Sequence, residues 1–168
     1  MNNTRSYAVA LAAVPIVLLA QPAAAQDSTS GTMPVSATVL ENCTVVSSAM
    51  AFGPITDVGA SNVDSTATLT LTCTANASYE IQLDDGVNAD SGQRRLANAG
   101  NDQFLNYDIY QNLARSTRWG DDLGIDTVSG SANVLGISTV TAYGRIPQGV
   151  AKVPAGLYAD TITVTVNF

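Results

Sequence analysis

Apolar and polar residues alternate with a period of two along much of this chain, the pattern of a strand with one buried face. The stretches that show it are residues 33–39, 66–74, 79–83, 105–109, 136–146 and 158–168. No window shows the spacing of an amphipathic helix. Short strands rich in Thr and Val, separated by Gly, Asn and Pro turns, predict an all-β protein built as an antiparallel β-sandwich.

The last predicted strand has the strongest alternation and runs to the final residue printed. Four apolar side chains share one of its faces: Ile162, Val164, Val166 and Phe168. An immunoglobulin-type sandwich has seven or more strands, whereas the alternation supports about six here. A terminal strand this apolar needs neighbours on both flanks.

The first alternating stretch places Met33, Val35, Ala37 and Val39 on one face. Pro34 cannot donate a ladder hydrogen bond, so it belongs at a sheet edge or near a strand start. From the residues alone, an ordinary first strand of the same domain is favoured, because sandwiches commonly begin with one. The segments 53–65, 84–102 and 121–135 are predicted to be loops, and residues 111–135 as a whole are mixed and polar.

The N-terminal residues have the features of an export signal. Arg5 supplies a positive charge, Ala8–Ala20 form a short apolar stretch, and Ala23–Ala25 provide small residues for cleavage. We expect cleavage after Ala25, so that residues 1–25 are a signal peptide.

Composition excludes several classes of function. The chain has no His, so triads and zinc sites that use imidazole are excluded. With 14 Asp and Glu against 7 Lys and Arg, the net charge of −7 disfavours nucleic acid and anionic membranes as partners.

Cys43 and Cys73, the two cysteines, are expected to form a disulfide in an oxidising compartment.

Two acidic pairs and two aromatic residues are the remaining candidates for a site. Asp84–Asp85 and Asp121–Asp122 could serve as glycosidase carboxylates or calcium ligands, but adjacent carboxylates in Gly- and Asn-rich loops more often cap turns. Trp119 and Tyr143 could form a sugar platform, although core packing is the favoured interpretation. We therefore predict no catalytic residue, no metal site, no cofactor and no small-molecule substrate.

The chain resembles the spore coat protein U domain family, which includes subunits of archaic, Csu-type chaperone–usher pili. The matching segments are Cys43–Val45, Phe52–Gly53, Leu71–Cys73, Ile81–Gly86, Arg95, Leu105–Tyr107, Ile109–Tyr110, Trp119–Gly120, Tyr143–Ile146, Ala155–Tyr158 and Asp160–Phe168. The most specific is the C-terminal Gly-x-Tyr-x-Asp-Thr followed by alternating Val. Residues 121–142 match loosely.

The resemblance implies an incomplete immunoglobulin-like sandwich that lacks its final strand and is completed by a donor strand. Residues 26–40 would be the donor segment, with Met33, Val35, Ala37 and Val39 as its apolar face, and residues 41–168 the sandwich domain. Ile162, Val164, Val166 and Phe168 would form one wall of the acceptor groove, with the Phe168 carboxylate gripped by cations of a chaperone.

The function so implied is a secreted structural subunit of a surface fibre that supports adhesion or biofilm formation. Its partners would be a periplasmic pilus chaperone, an outer-membrane usher and other pilin subunits in a homo- or hetero-polymer. The protein would pass through the periplasm to the cell surface. A monomeric secreted lectin-like or surface-binding module is the alternative. An exported hydrolase is the least favoured interpretation, for want of a nucleophile motif.

Overall fold

The computed structural model describes residues 25–168, and the predicted signal peptide lies outside this part except for Ala25. Ten strands are present there: β1 (Cys43–Ser47), β2 (Val63–Cys73), β3 (Ser78–Leu83), β4 (Arg95–Asn98), β5 (Phe104–Asn106), β6 (Asp108–Tyr110), β7 (Val128–Ser131), β8 (Ile137–Ile146), β9 (Tyr158–Ala159) and β10 (Val164–Asn167). No helix that could cross a membrane occurs among the described residues. The predicted all-β class is confirmed.

The described chain divides into two units at residue 37. Residues 25–37 contain no strand, and their side chains are exposed. The alternation at residues 33–39 therefore does not produce a strand within this chain, so the prediction of an ordinary first strand is wrong. Residues 38–168 contain all ten strands.

The larger sheet has the strand order β1-β2-β8-β6. β2 and β8 form its centre, paired antiparallel from Val63 opposite Ile146 to Thr72 opposite Ile137. Both strands alternate strictly, so each places one apolar face on the core while its threonines face solvent. β1 pairs only with β2 and is therefore an edge of this sheet.

Two three-stranded sheets complete the fold, in the orders β10-β3-β7 and β5-β4-β9. β10 pairs only with β3, from Val164 opposite Leu83 to Asn167 opposite Glu80. β10 is therefore also an edge strand.

The core collects the inward faces of all these strands. Trp119 is fully buried at its centre and donates its indole N–H to the Ile81 carbonyl at 2.9 Å. The predicted core role of Trp119 is confirmed. Tyr143 is half-buried, with the Arg115 guanidinium over its ring.

The predicted strands 105–109 and 158–168 are each divided into two shorter strands in the structure. Leu105, Tyr107 and Ile109 are all buried, but the chain changes sheets at Tyr107, so β5 and β6 pair with different partners. Residues 158–168 likewise divide into β9 and β10. Between them the Thr163 N–H donates to the Asp84 carboxylate instead of to a neighbouring strand.

Three strands lie where the sequence predicts none. β4 has a charged first residue and no alternation, and β7 is built of small residues in a predicted loop. Gly130 in β7 is needed because a Cβ there would lie 2.5 Å from the Tyr79 hydroxyl. β1 is too short to show a clear period. Its pairing with β2 explains how the cysteine bond is made.

Candidate functional site

Two strand edges remain unpaired and face each other across the sandwich. β1 ends one sheet, β10 ends another, and no hydrogen bond joins them in the described structure. Cα atoms of the two strands nevertheless come within 8 Å. The larger unit therefore carries an open seam between two neighbouring edges.

The backbone of β1 directs free hydrogen-bonding groups into this seam. In an antiparallel pair, successive residues point their N–H and C=O groups alternately toward and away from the partner. The backbone groups of Asn42, the residue immediately before β1, point toward the β2 side, because the Asn42 carbonyl accepts the Thr74 N–H at 2.8 Å. The residues that point away are therefore Cys43, Val45 and Ser47.

The backbone of β10 does the same from the other side. The Thr163 carbonyl accepts the Asp84 N–H at 3.2 Å, so Thr163 points toward β3. By the same alternation, Val164 and Val166 direct their N–H and C=O groups to the unpaired edge. Their side chains are half-buried and pack on the core.

A narrow apolar cavity of about 350 Å³ lies under the seam. One wall is the end of β1 with the residues that follow it, and the other includes Ile162 and Val164. The remaining lining residues come from the core: Ala67, Leu69, Leu83, Leu96, Tyr107, Ile109 and Ala142. Most of the core residues that line this cavity are themselves buried, so the cavity is an apolar space beneath the seam and not an exposed apolar surface.

A wider cavity of about 870 Å³ continues the opening along the same two chain segments. Its walls are residues 50–58 and 152–160, with Leu96, Leu105 and Ile146 beneath. We call the whole feature the open groove, defined by its walls 43–58 and 152–168. As residue numbers rise along one wall they fall along the other, so the walls run antiparallel.

The two walls are joined at the far end of the wider cavity. The Gly149 N–H donates to the Gly59 carbonyl at 2.8 Å, and Lys152 pairs with Asp57 at 3.3 Å. Gly59 has a φ of +83°, and a Cβ there would lie 2.5 Å from the Val150 carbonyl oxygen. The groove is therefore closed at this end by backbone contact.

A polar cluster lies where the two cavities meet. Asp160 lines both cavities, accepts the Tyr107 hydroxyl at 2.8 Å, and accepts the Asn88 backbone and side-chain N–H groups at 3.2 and 3.0 Å. Burial and the neighbouring Asp160 carboxylate raise the pKa of Tyr107 well above its ordinary range. Tyr107 therefore stays protonated and donates to Asp160 at any physiological pH.

The predicted disulfide is present between Cys43 and Cys73, which lie opposite each other in β1 and β2. It ties the groove-edge strand β1 to the centre of its sheet. The predicted turn-capping role of Asp84 is also present, because its carboxylate accepts the Gly86 and Thr163 N–H groups at 3.0 and 2.9 Å.

A buried arginine supports the groove floor, and sequence reasoning missed it. Arg94 is completely buried, donates to the Leu83 and Asp84 carbonyls, and pairs with Asp108 at 2.8 Å. It thus joins the end of β3 to the start of β6. The neighbouring Arg95, quoted in the resemblance, is half-buried and packs on the Phe104 ring. Nothing in the sequence of a predicted loop distinguishes the two arginines.

The predicted groove residues do not all lie at the opening. Ile162 and Val164 line the narrow cavity, Val166 packs on the core beside it, and Phe168 lies beyond β10 with 53% of its surface exposed. The predicted donor residues Met33, Val35, Ala37 and Val39 are exposed and outside any strand.

Comparison with known proteins identifies the family. The model of the Spore Coat Protein U domain matches residues 29–165. The chain belongs to the Spore Coat Protein U domain family. Protein U of Myxococcus xanthus is 29% identical over 186 aligned positions that cover 100% of each chain.

A solved structure supports the fold of this family member. The crystal structure of the CsuC–CsuE chaperone–tip adhesion subunit pre-assembly complex, from the archaic chaperone–usher Csu pili of Acinetobacter baumannii, contains a similar chain. The TM-score is 0.54 and the identity 26%, and the match covers 78% of this chain and 40% of that one. The chain therefore spans about two fifths of the length of its structural relative. The incomplete immunoglobulin-like fold class agrees with this match.

Proposed function

We propose that this protein is an exported subunit of a surface fibre, assembled by donor-strand exchange through a chaperone–usher system. Residues 26–40 of one subunit insert into the open groove of the next. The observation that carries the proposal is the pair of unpaired edges, β1 and β10, which lie close together over an apolar cavity. A strand that parted these edges and inserted between them would pair on both sides, which is β-strand addition.

The lengths of donor and groove support this assignment. A 15-residue segment (26–40) spans about 50 Å when extended, and the wall 43–58 has nearly the same number of residues. The side chains of Met33 and Val35 are 82% and 84% exposed. Burying each would stabilise the junction by roughly 1.5–3 kcal/mol.

The open groove also explains a need for a chaperone. Unpaired strand edges promote aggregation unless another chain covers them. The similar chain comes from a complex of a chaperone with a tip adhesion subunit, CsuC–CsuE, and we propose that a periplasmic chaperone covers the groove of this chain before assembly. An outer-membrane usher would then exchange the chaperone for the donor segment of the next subunit. The exposed Phe168 carboxylate is proposed as an anchor for chaperone cations.

Export and surface location fit the same proposal. The Cys43–Cys73 disulfide is typical of proteins that fold outside the cytosol. After cleavage behind Ala25 the donor segment would become the N-terminus of the exported subunit. We propose that the fibre supports adhesion or biofilm formation at the cell surface.

Site-specific photo-cross-linking tests the proposal directly. A photoreactive phenylalanine analogue is placed at Val35, and this chain is mixed with an isotope-labelled copy before assembly. We expect cross-links from position 35 to the wall residues 43–58 or 152–168 of the labelled copy. A probe at Ser36, on the opposite face of the segment, is the matched control and should give few such cross-links.

Cross-links confined to a single copy would contradict the proposal. Such a result, together with a stable monomer, would favour the alternative of a secreted lectin-like or surface-binding module. That module needs no donor segment.

A further inference from the structure

The donor segment belongs to the same chain as a groove, so it could insert into its own groove instead of into that of another subunit. The donor segment, residues 26–40, ends two residues before β1, and β1 is itself one edge of the open groove. A chain that reversed before β1 could lay these residues antiparallel to β1 and fill its own groove. An intramolecular strand has an effective concentration in the millimolar range, far above that of a second subunit. Polymerisation therefore needs a feature that disfavours reversal.

Thr74 holds the chain in line with β1 at the point where reversal would occur. Its hydroxyl donates to the Leu40 carbonyl at 3.2 Å and accepts the Asn42 N–H at 3.1 Å. Its own N–H donates to the Asn42 carbonyl at 2.8 Å. Both backbone groups of Asn42 therefore point toward β2, away from the groove.

The tightest self-closing hairpin would use these same residues as its loop. The first free N–H at the groove edge belongs to Cys43, so the shortest loop would be Leu40–Asn42. Three-residue hairpin loops place a left-handed residue near their end, and Asn is one of the few residue types besides Gly that adopt it. Asn42 is not among the described residues with positive φ. The contacts with Thr74 thus hold it in the conformation that prevents the turn.

We propose that Thr74 is a positioning residue that disfavours the turn at residues 40–42 by which the donor segment would enter its own groove, so that donation occurs between subunits. This inference rests on the proposed donor-strand function. The adjacent Cys43–Cys73 bond strengthens the effect, because it fixes β1 against β2 immediately beside Thr74.

The test measures how the exported chain partitions between monomer and polymer. The protein is unfolded in denaturant with its disulfide intact, refolded by dilution, and separated by size-exclusion chromatography. Thr74→Val removes both hydroxyl hydrogen bonds while keeping the shape. We expect the ratio of monomer to polymer to rise roughly five-fold or more, since each bond contributes modestly. In the added monomer, residues 26–40 should resist proteolysis.

Three further variants make the result specific. Thr74→Ser keeps the hydroxyl and should restore the wild-type ratio. Thr72→Val makes the same change two residues earlier, at an exposed position of β2, and should have no effect. Asn42→Gly leaves Thr74 intact but eases the left-handed turn, and should also raise the monomer fraction.

The inference is overturned if a folded Thr74→Val variant partitions as the wild type does, whatever Asn42→Gly shows. If Thr74→Val fails to fold, Asn42→Gly alone decides. A wild-type chain that forms no polymer under any condition would instead contradict the proposed function, so the two failures are distinguishable.

Discussion

The Tyr107 hydroxyl donates a 2.8 Å hydrogen bond to the Asp160 carboxylate where the two cavities of the open groove meet. This bond joins the crossover between β5 and β6 to the turn before β10. It therefore fixes the groove floor against the wall that carries Val164.

Replacing Tyr107 by Phe should destabilise the groove floor. The buried part of the Asp160 carboxylate would lose a partner, at a cost of about 1–3 kcal/mol. Urea unfolding of the exported chain measures the loss. Tyr110→Phe is the matched control, because the Tyr110 hydroxyl makes no hydrogen bond among the described residues. Equal stability of the two variants would contradict the structural role of this bond.

The disulfide should be essential to the yield of folded subunit. Unreduced exported protein should weigh two hydrogen atoms less than the thiol form by mass spectrometry. Cys43→Ser or Cys73→Ser should lower the free energy of unfolding by about 2–5 kcal/mol. Two free thiols in the exported protein would refute the pairing.

A charge in the groove wall should prevent capture by the chaperone. Val164 is half-buried and lines the narrow cavity. Aspartate there would place an unpaired charge against apolar surface at a cost of several kcal/mol. We expect Val164→Asp to be degraded rapidly in the periplasm, as measured by pulse-chase. Thr165→Asp, on the exposed face of the same strand, should accumulate normally. Normal accumulation of Val164→Asp would count against the groove.

Much of this fold follows from period-two alternation. The alternation correctly identifies the buried faces of β2 and β3, the position of β8, and the burial of Tyr107 and Ile109. It cannot show where a strand changes sheets, because a side chain stays buried through the crossover. The alternation does not predict β4 and β7, because their residues form an ion pair or pack closely instead of alternating.

The groove could be predicted only in part. The apolar terminal strand indicates a missing neighbour, and only the resemblance implies that this neighbour is a donor strand. The buried Arg94 and the Asp160 cluster arise from contacts between residues distant in sequence, which no local pattern encodes. The role of Thr74 depends on three hydrogen bonds to residues 40–42 and is equally hidden.

Charge on the donor face should block polymerisation in a position-specific way. Val35→Asp would place a carboxylate in an apolar cavity, whereas Ser36→Asp would leave it in solvent. We expect the first variant to remain chaperone-bound or monomeric and the second to polymerise. Detergent gels of unheated samples measure the difference. Identical behaviour of both variants would mean that this face makes no buried contact.

The central claim, donor-strand exchange between subunits, is tested most directly by gel electrophoresis of the exported chain with and without heating. Donor strands dissociate slowly, because leaving exposes the groove to water, and the head-to-tail contact does not close into a symmetric dimer. Unheated samples should therefore run as a ladder that boiling collapses to one band, and deletion of residues 26–40 should abolish the ladder. A stable, monodisperse monomer from the full exported chain, made without a chaperone, would contradict the account.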